Sequence, residues 1–142
     1  MADKPACVFC AIVAGDLPAH VVAETQHTLA FLDQRPLFPG HTLVVPRAHV
    51  VTLRDLPAAL LTPFFAEVQR VAVAVQDGLA ADGTFVAENN VVSQSVPHLH
   101  VHVVPRRRKD GLRGFFWPRT RYEREDEMEA VAARIRGALP PT

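Results

Sequence analysis

The sequence predicts one mixed domain, residues 1–142, built from about five short strands and one long packed helix. Three observations carry this. The chain has 142 residues, 49% of them hydrophobic, enough to bury a core without metal or disulfide help. Its Val-, Leu- and Phe-rich runs are short and divided by turn residues, as strands are. One run, residues 64–79, instead repeats its apolar residues at helical spacing.

The elements follow in chain order. The apolar run at residues 9–13, closed by Gly15 and Pro18, predicts one or two helical turns directly behind Cys7 and Cys10. Residues 20–24, 28–33 and 41–46 are three strands, antiparallel because only short turns such as Gln34-Arg35-Pro36 and Pro39-Gly40 separate them. Asp55-Leu56-Pro57 and Thr62-Pro63 both read as helix starts, since Asp or Thr caps free amides and proline is tolerated in a first turn; the second is the stronger. From it Phe64, Val68, Val71, Ala72, Val75 and Leu79 form one stripe, the core face of an amphipathic helix of about five turns that Asp82-Gly83 ends. Residues 84–89 and 96–105 are a fourth and a fifth strand. Residues 106–124 read as an irregular cationic arm, with eight basic side chains against Asp110 and Glu123 and with Phe115-Phe116-Trp117-Pro118. Glu125-Asp126-Glu127 then offers negative charge to the start of a last helix, residues 125–139, ended by Gly137 and Pro140.

Fifteen basic and fifteen acidic residues give a net charge of zero, which argues against a surface built for nucleic acid or an anionic membrane. No apolar run approaches the ~20 residues that cross a bilayer. Met1-Ala2-Asp3-Lys4-Pro5 lacks the regions of a signal peptide, so a cytoplasmic protein is expected. In a reducing compartment Cys7-x-x-Cys10 reads as a metal half-site or a redox pair before a disulfide.

The chemistry gathers in His98-Leu99-His100-Val101-His102. In a strand, residues two apart share a face roughly 6.5 to 7 Å apart, so the three imidazoles form one row and Leu99, Val101 and Val103 face the core. Histidine serves as neutral nucleophile, proton donor or metal ligand. The middle ring has a neighbour on each side, which suits attack on phosphorus through a labile nucleotidyl-histidine. A metal site built wholly from the row, and a purely structural row, are the competing readings. Gln94-Ser95 adds phosphate-binding donors at the turn before the strand, and Pro97 fixes how the chain enters it.

These residues, followed by Val103-Val104, resemble the signature of the histidine triad (HIT) superfamily. The resemblance extends to Gly15-Asp16-Leu17-Pro18, Leu29-Ala30-Phe31-Leu32-Asp33, the run from Pro39-Gly40-His41 to Pro46-Arg47-Ala48-His49, and Gln94-Ser95-Val96-Pro97. It implies an α+β fold with a central antiparallel sheet, a homodimer, and hydrolysis or transfer at the α-phosphorus of a purine nucleotide. By motif position His100 is the nucleophile, His102 its partner in phosphate binding and leaving-group chemistry, and His41 a supporting fourth histidine. Ser95 and Gln94 contact phosphate, with Asn89 or Asn90 nearby. Asp33 meets the ribose, and Phe9, Ile12, Phe31 and Leu32 line the base pocket. Many members carry glycine in the loop before the glutamine; here residues 89–94 form a shorter loop without it.

Relatives with paired cysteines also resemble this chain in the histidine after Pro46-Arg47, which implies a structural zinc held by Cys7, Cys10, His49 and His98. No organic cofactor is implied. His20 and His27 match no pattern and read as surface residues. The arm suits a nucleotide's distal phosphates, an RNA backbone or plain solvent. A nucleotide- or metal-binding module without turnover, and a thiol redox protein, are the alternatives to an enzyme.

Overall fold

The computed structural model describes residues 7–113 and 118–141, so the expected aromatic group Phe115, Phe116 and Trp117 lies outside the described residues. The chain forms two compact units, Met1–Asp110 and Gly111–Thr142. In the first, α1 (Val8–Ala14) precedes β1 (Val21–Glu24), β2 (Thr28–Leu32) and β3 (Thr42–Pro46). Helix α2 (Ala58–Gly78), β4 (Gly83–Glu88) and β5 (Val101–Arg106) follow. The second unit carries α3 (Glu125–Gly137), with Glu125, Asp126 and Glu127 in its first turn and Arg134 and Arg136 in its last, each complementing the helix dipole.

The five strands make one sheet in the order β1-β2-β3-β5-β4, every neighbouring pair antiparallel. This is the α+β architecture expected. Strands β2 and β3 are covered on both faces, which is why they read as continuous apolar runs rather than alternating ones. Ala30 and Val44 join Leu99, Val101 and Val103 under Phe64, Val68, Val71 and Val75 of α2. On the other face Leu29, Phe31, Leu43 and Val45 pack on Phe9 of α1. That second face holds the site.

Local chemistry sets the ends of α1. The Cys7 sulfur accepts from the Cys10 amide at the first turn, and Gly15, at φ 82°, takes the left-handed conformation that lets its N–H reach the Ala11 and Ile12 carbonyls.

Three expectations shift. Helix α2 starts after Pro57, not at Thr62-Pro63, and Pro63 lies inside it. Ala58, Ala59, Leu60 and Leu61 are strong helix formers, and Leu60 also packs against the core, which offsets the hydrogen bond that proline cannot donate. Asp55 closes a 3-10 turn, Leu53–Asp55, by accepting from the Thr52 amide and hydroxyl at 3.0 and 2.7 Å. The added turn makes α2 apolar and long enough to cross a bilayer, contrary to the sequence expectation, but its stripe is buried against the sheet. Second, β5 begins at Val101, because β3 pairs with it only from Thr42 to Val44. His98 to His100 still run beside other chain, with the Leu99 amide donating to the Val50 carbonyl at 2.8 Å. The alternation survives without the ladder. Third, the start of the expected arm is ordered: Arg106 ends β5, and the Asp110 carboxylate gathers the Arg106 guanidinium (2.6 Å) and the Arg107 amide (3.0 Å) into a turn.

Candidate active site

A cavity of about 380 Å³ lies over the second sheet face. Its floor follows the register: His102 pairs with Leu43, and Leu43 with Phe31. Phe9 and Ile12 of α1 form the wall opposite, and Asp33, Ser95 and His100 also line it. The Phe9 ring stands edge-on to Phe31 (5.4 Å) and to His100 (5.1 Å), so an apolar slot adjoins the imidazoles directly.

Hydrogen bonds assign the tautomers. A carbonyl accepts only, so the 2.7 Å contact between His100 Nδ1 and the His98 carbonyl places the ring proton on Nδ1. The free lone pair of His100 is therefore on Nε2. His41 runs the other way: its Nδ1 accepts from the Leu37 amide at 3.1 Å, which leaves the proton on Nε2. That proton is donated to His102 Nδ1 at 2.9 Å, and His102 in turn keeps its own proton on Nε2. The Asp33 carboxylate lies 3.7 Å from His41 Nε2 and accepts from the Arg35 amide at 2.9 Å.

Burial is the main cause that pushes His102 down to about 4, helped by the neighbouring His100 and His41 and opposed by Asp33. Burial also lowers His41, against the pull of Asp33. Both rings are neutral at neutral pH, so His102 presents an N–H donor rather than a charge.

Among the described residues, two groups of side chains have donor atoms close enough to share a cation, and the tautomers separate them. In Cys7, Cys10, His49 and His98, the His98 Nε2–H donates to the Pro46 carbonyl at 2.9 Å, so Nδ1 holds the lone pair. That Nδ1 lies 3.4 Å from the Cys7 sulfur, 3.5 Å from the Cys10 sulfur and 3.2 Å from His49 Nδ1. The Cys10 sulfur lies 3.2 Å from His49 Nδ1. Two sulfurs and two nitrogens converging on one point, with the buried imidazole already oriented by a carbonyl, fit a tetrahedral Cys2His2 zinc. Burial and the adjacent Cys7 raise the Cys10 thiol above its ordinary value, a penalty that a cation among the donors reverses. Asp33, His41 and His102 do not fit in the same way. A metal on His41 Nε2 would displace the proton donated to His102 Nδ1, which cannot move to His41 Nδ1 because that atom accepts from the Leu37 amide, so this group is a hydrogen-bond relay.

Of the residues singled out in the sequence, Phe9, Ile12, Phe31, Leu32, Asp33, Ser95, His100 and His102 share the cavity, and His41 stands behind His102. Gln94 and Asn89 do not line it. Gln94 accepts from the Val91 amide (3.0 Å) and donates to the Val51 carbonyl, while Asn89 donates to the Ser93 carbonyl at 3.3 Å. These bonds, with the Leu53 amide on Asn90, brace a loop in which Val91 (φ 67°) and Ser93 (φ 62°) take the left-handed conformation that glycine usually fills.

Sequence reasoning missed two groups. His20, read as a surface residue, lines the cavity, though it is also exposed. Glu88, the last residue of β4, has a buried Oε1 without a hydrogen-bond partner among the described residues, and burial raises its carboxyl above the usual range against the pull of Asn90 and His100. Only the strand register, absent from the sequence, brings either to the site.

Comparison with known proteins agrees with this geometry. The HIT domain family matches residues 14–109. Adenosine 5'-monophosphoramidase of Saccharomyces cerevisiae is 36% identical over 75% of this chain and 67% of its own. The crystal structure of a HIT family member from Bacillus subtilis superposes with a TM-score of 0.87 at 32% identity, covering 96% of this chain and 99% of that one. A Zn-bound histidine triad family protein from Mycobacterium smegmatis is 41% identical, with a TM-score of 0.71 over 94% of this chain and 97% of that one. With the family's domain over most of its length and its sheet on this backbone, the chain belongs to the HIT family.

Proposed function

We propose that this protein hydrolyses or transfers at the α-phosphorus of a nucleoside phosphoramidate or dinucleoside polyphosphate, releasing a nucleoside monophosphate through a covalent nucleotidyl-His100. One observation carries the reading: the His98 carbonyl accepts from the Nδ1–H, so His100 offers an unprotonated Nε2 in a ring that lines the cavity. The similarity to an adenosine 5'-monophosphoramidase supports the substrate class.

In the first step Nε2 attacks phosphorus, the N–P bond forms, and the bond to the leaving group breaks with its electron pair. The leaving group takes a proton from water. The ring is then a phosphoimidazolium whose Nδ1–H still donates to the His98 carbonyl, which stabilises the positive charge. In the second step water attacks phosphorus, the N–P electrons return to Nε2, and the water proton goes to solvent. His102 Nε2–H and the Ser95 hydroxyl donate to the phosphate oxygens, and His41 holds the His102 ring in that orientation. Asp33 accepts from the ribose hydroxyls, and the base lies between Phe9, Ile12 and Phe31. Zinc in the Cys7, Cys10, His49 and His98 set is structural; it supplies no part of these steps.

Rapid quench with adenosine 5'-phosphoramidate and intact-protein mass spectrometry tests this. The expected result is an AMP-sized adduct that maps to His100 and is lost, together with more than about a thousandfold of turnover, in His100→Ala. Turnover that survives this substitution overturns the proposal.

A further inference from the structure

The proposed reaction gives work to four of the six polar side chains that line the cavity and leaves His20 and Gln34. Gln34 follows Asp33, on the ribose side. His20 is placed differently. The row that starts at His102 runs through Leu43 and Phe31 to Val21 of β1, and His20 is the residue before Val21. Its carbonyl accepts from the Leu32 amide at 3.0 Å, which fixes it beside the end of β2. Three strand spacings, about 14 Å, separate the β1 and β5 backbones.

A nucleotide with its phosphorus at His100 and its ribose at Asp33 has one direction left for the base, along Leu43 and Phe31 beneath Phe9. Its outer edge then points to β1. His20 is exposed and its ring engages no side chain among the described residues, so its one donor and one acceptor are free for that edge. Both common purines carry a donor and an acceptor on the six-membered ring. A pyrimidine is one ring shorter and leaves His20 to water.

We infer that His20 reads the outer edge of the base and makes the site favour purine over pyrimidine nucleotides. The inference rests on the nucleotide reading above. A hydrogen bond made to one base and not the other is realised as soon as substrate binds, so its loss falls on KM rather than kcat.

The test uses the full chain with adenosine and cytidine 5'-phosphoramidates, and in parallel calorimetric binding of AMP and CMP. His20→Ala is expected to lose about tenfold in kcat/KM for the adenosine compound, mostly through KM, and far less for the cytidine compound, so their ratio collapses. His20→Gln, which keeps a donor and an acceptor, recovers part of the ratio. Equal losses on both bases, or no loss, overturn the inference. Should the wild-type chain bind AMP without turnover, the enzyme reading falls and the AMP to CMP ratio of Kd decides on His20 by the same criterion. Absence of binding to either nucleotide overturns both.

Discussion

The Pro46 and His98 carbonyls each accept a hydrogen bond from one ring N–H, that of His98 Nε2 and of His100 Nδ1, and so give two histidines two residues apart opposite lone pairs. His98 turns Nδ1 toward the sulfurs, and His100 keeps Nε2 for the cavity. Strand alternation alone presents three equivalent imidazoles, which motif position separates by role; the carbonyl positions give the first two their different tautomers. His102 differs again, since its partner is the His41 side chain. Its low value has a consequence for stability. An unfolded histidine titrates near 6.5, whereas the folded His102 titrates at about 4. Between these values the unfolded chain binds a proton that the native site refuses, so the contribution is complete above about pH 6.5, is lost as the pH falls, and is gone by about pH 4. Urea midpoints measured from pH 8 to pH 4 are expected to fall across that window and to fall less steeply in His102→Gln. An identical slope in the variant would assign the pH dependence elsewhere.

At the scale of elements, the turn into β3 sets where His41 stands. Gly40, at φ 102°, precedes His41, and its carbonyl accepts from the Thr42 hydroxyl at 2.9 Å. A Cβ there would come within 2.2 Å of the Leu79 Cδ1 at the end of α2. The leucine can turn aside, but the backbone strain stays. Gly40→Ala is therefore expected to cost about 1 to 3 kcal/mol in urea unfolding, and a change within error would show that the turn relaxes freely. Such a turn is legible in Pro39-Gly40, as are β1 to β4 and the apolar stripe of α2, because each follows from local propensity and spacing. The start of β5 is not. It depends on where β3 stops pairing, and the residues that pair with it lie far away in the sequence. The backbone of the loop at residues 89–94 is equally opaque: the sequence shows a short loop that lacks glycine, yet with tertiary bonds from Leu53 and Gln94 Val91 and Ser93 stand at positive φ. The place of His20 depends on register in the same way.

For the molecule as a whole, the Cys2His2 cluster gathers side chains from three separate stretches of the first unit. Cys10 and His49 are 39 residues apart in the chain, and His49 and His98 are 49 apart. A metal bridging them closes two long loops, and because the unfolded chain offers no preformed site, its binding energy becomes folding energy. His98 is also two residues from His100 and supplies the carbonyl that fixes the tautomer of that proposed nucleophile, so the cluster holds the segment on which the proposed chemistry depends. Its donors are oriented without help from substrate. Zinc bound there is expected at one equivalent per chain in purified protein. Its removal with a strong chelator is expected to lower Tm by on the order of 10 °C, with recovery on adding zinc back. Below the lowered Tm, chelated protein is expected still to form the His100 adduct, because no step of the proposed transfer passes through the metal. Loss of adduct in chelated protein that remains folded would instead make the metal part of the reaction. An unchanged Tm with no zinc found would leave the four side chains as a packed, metal-free cluster.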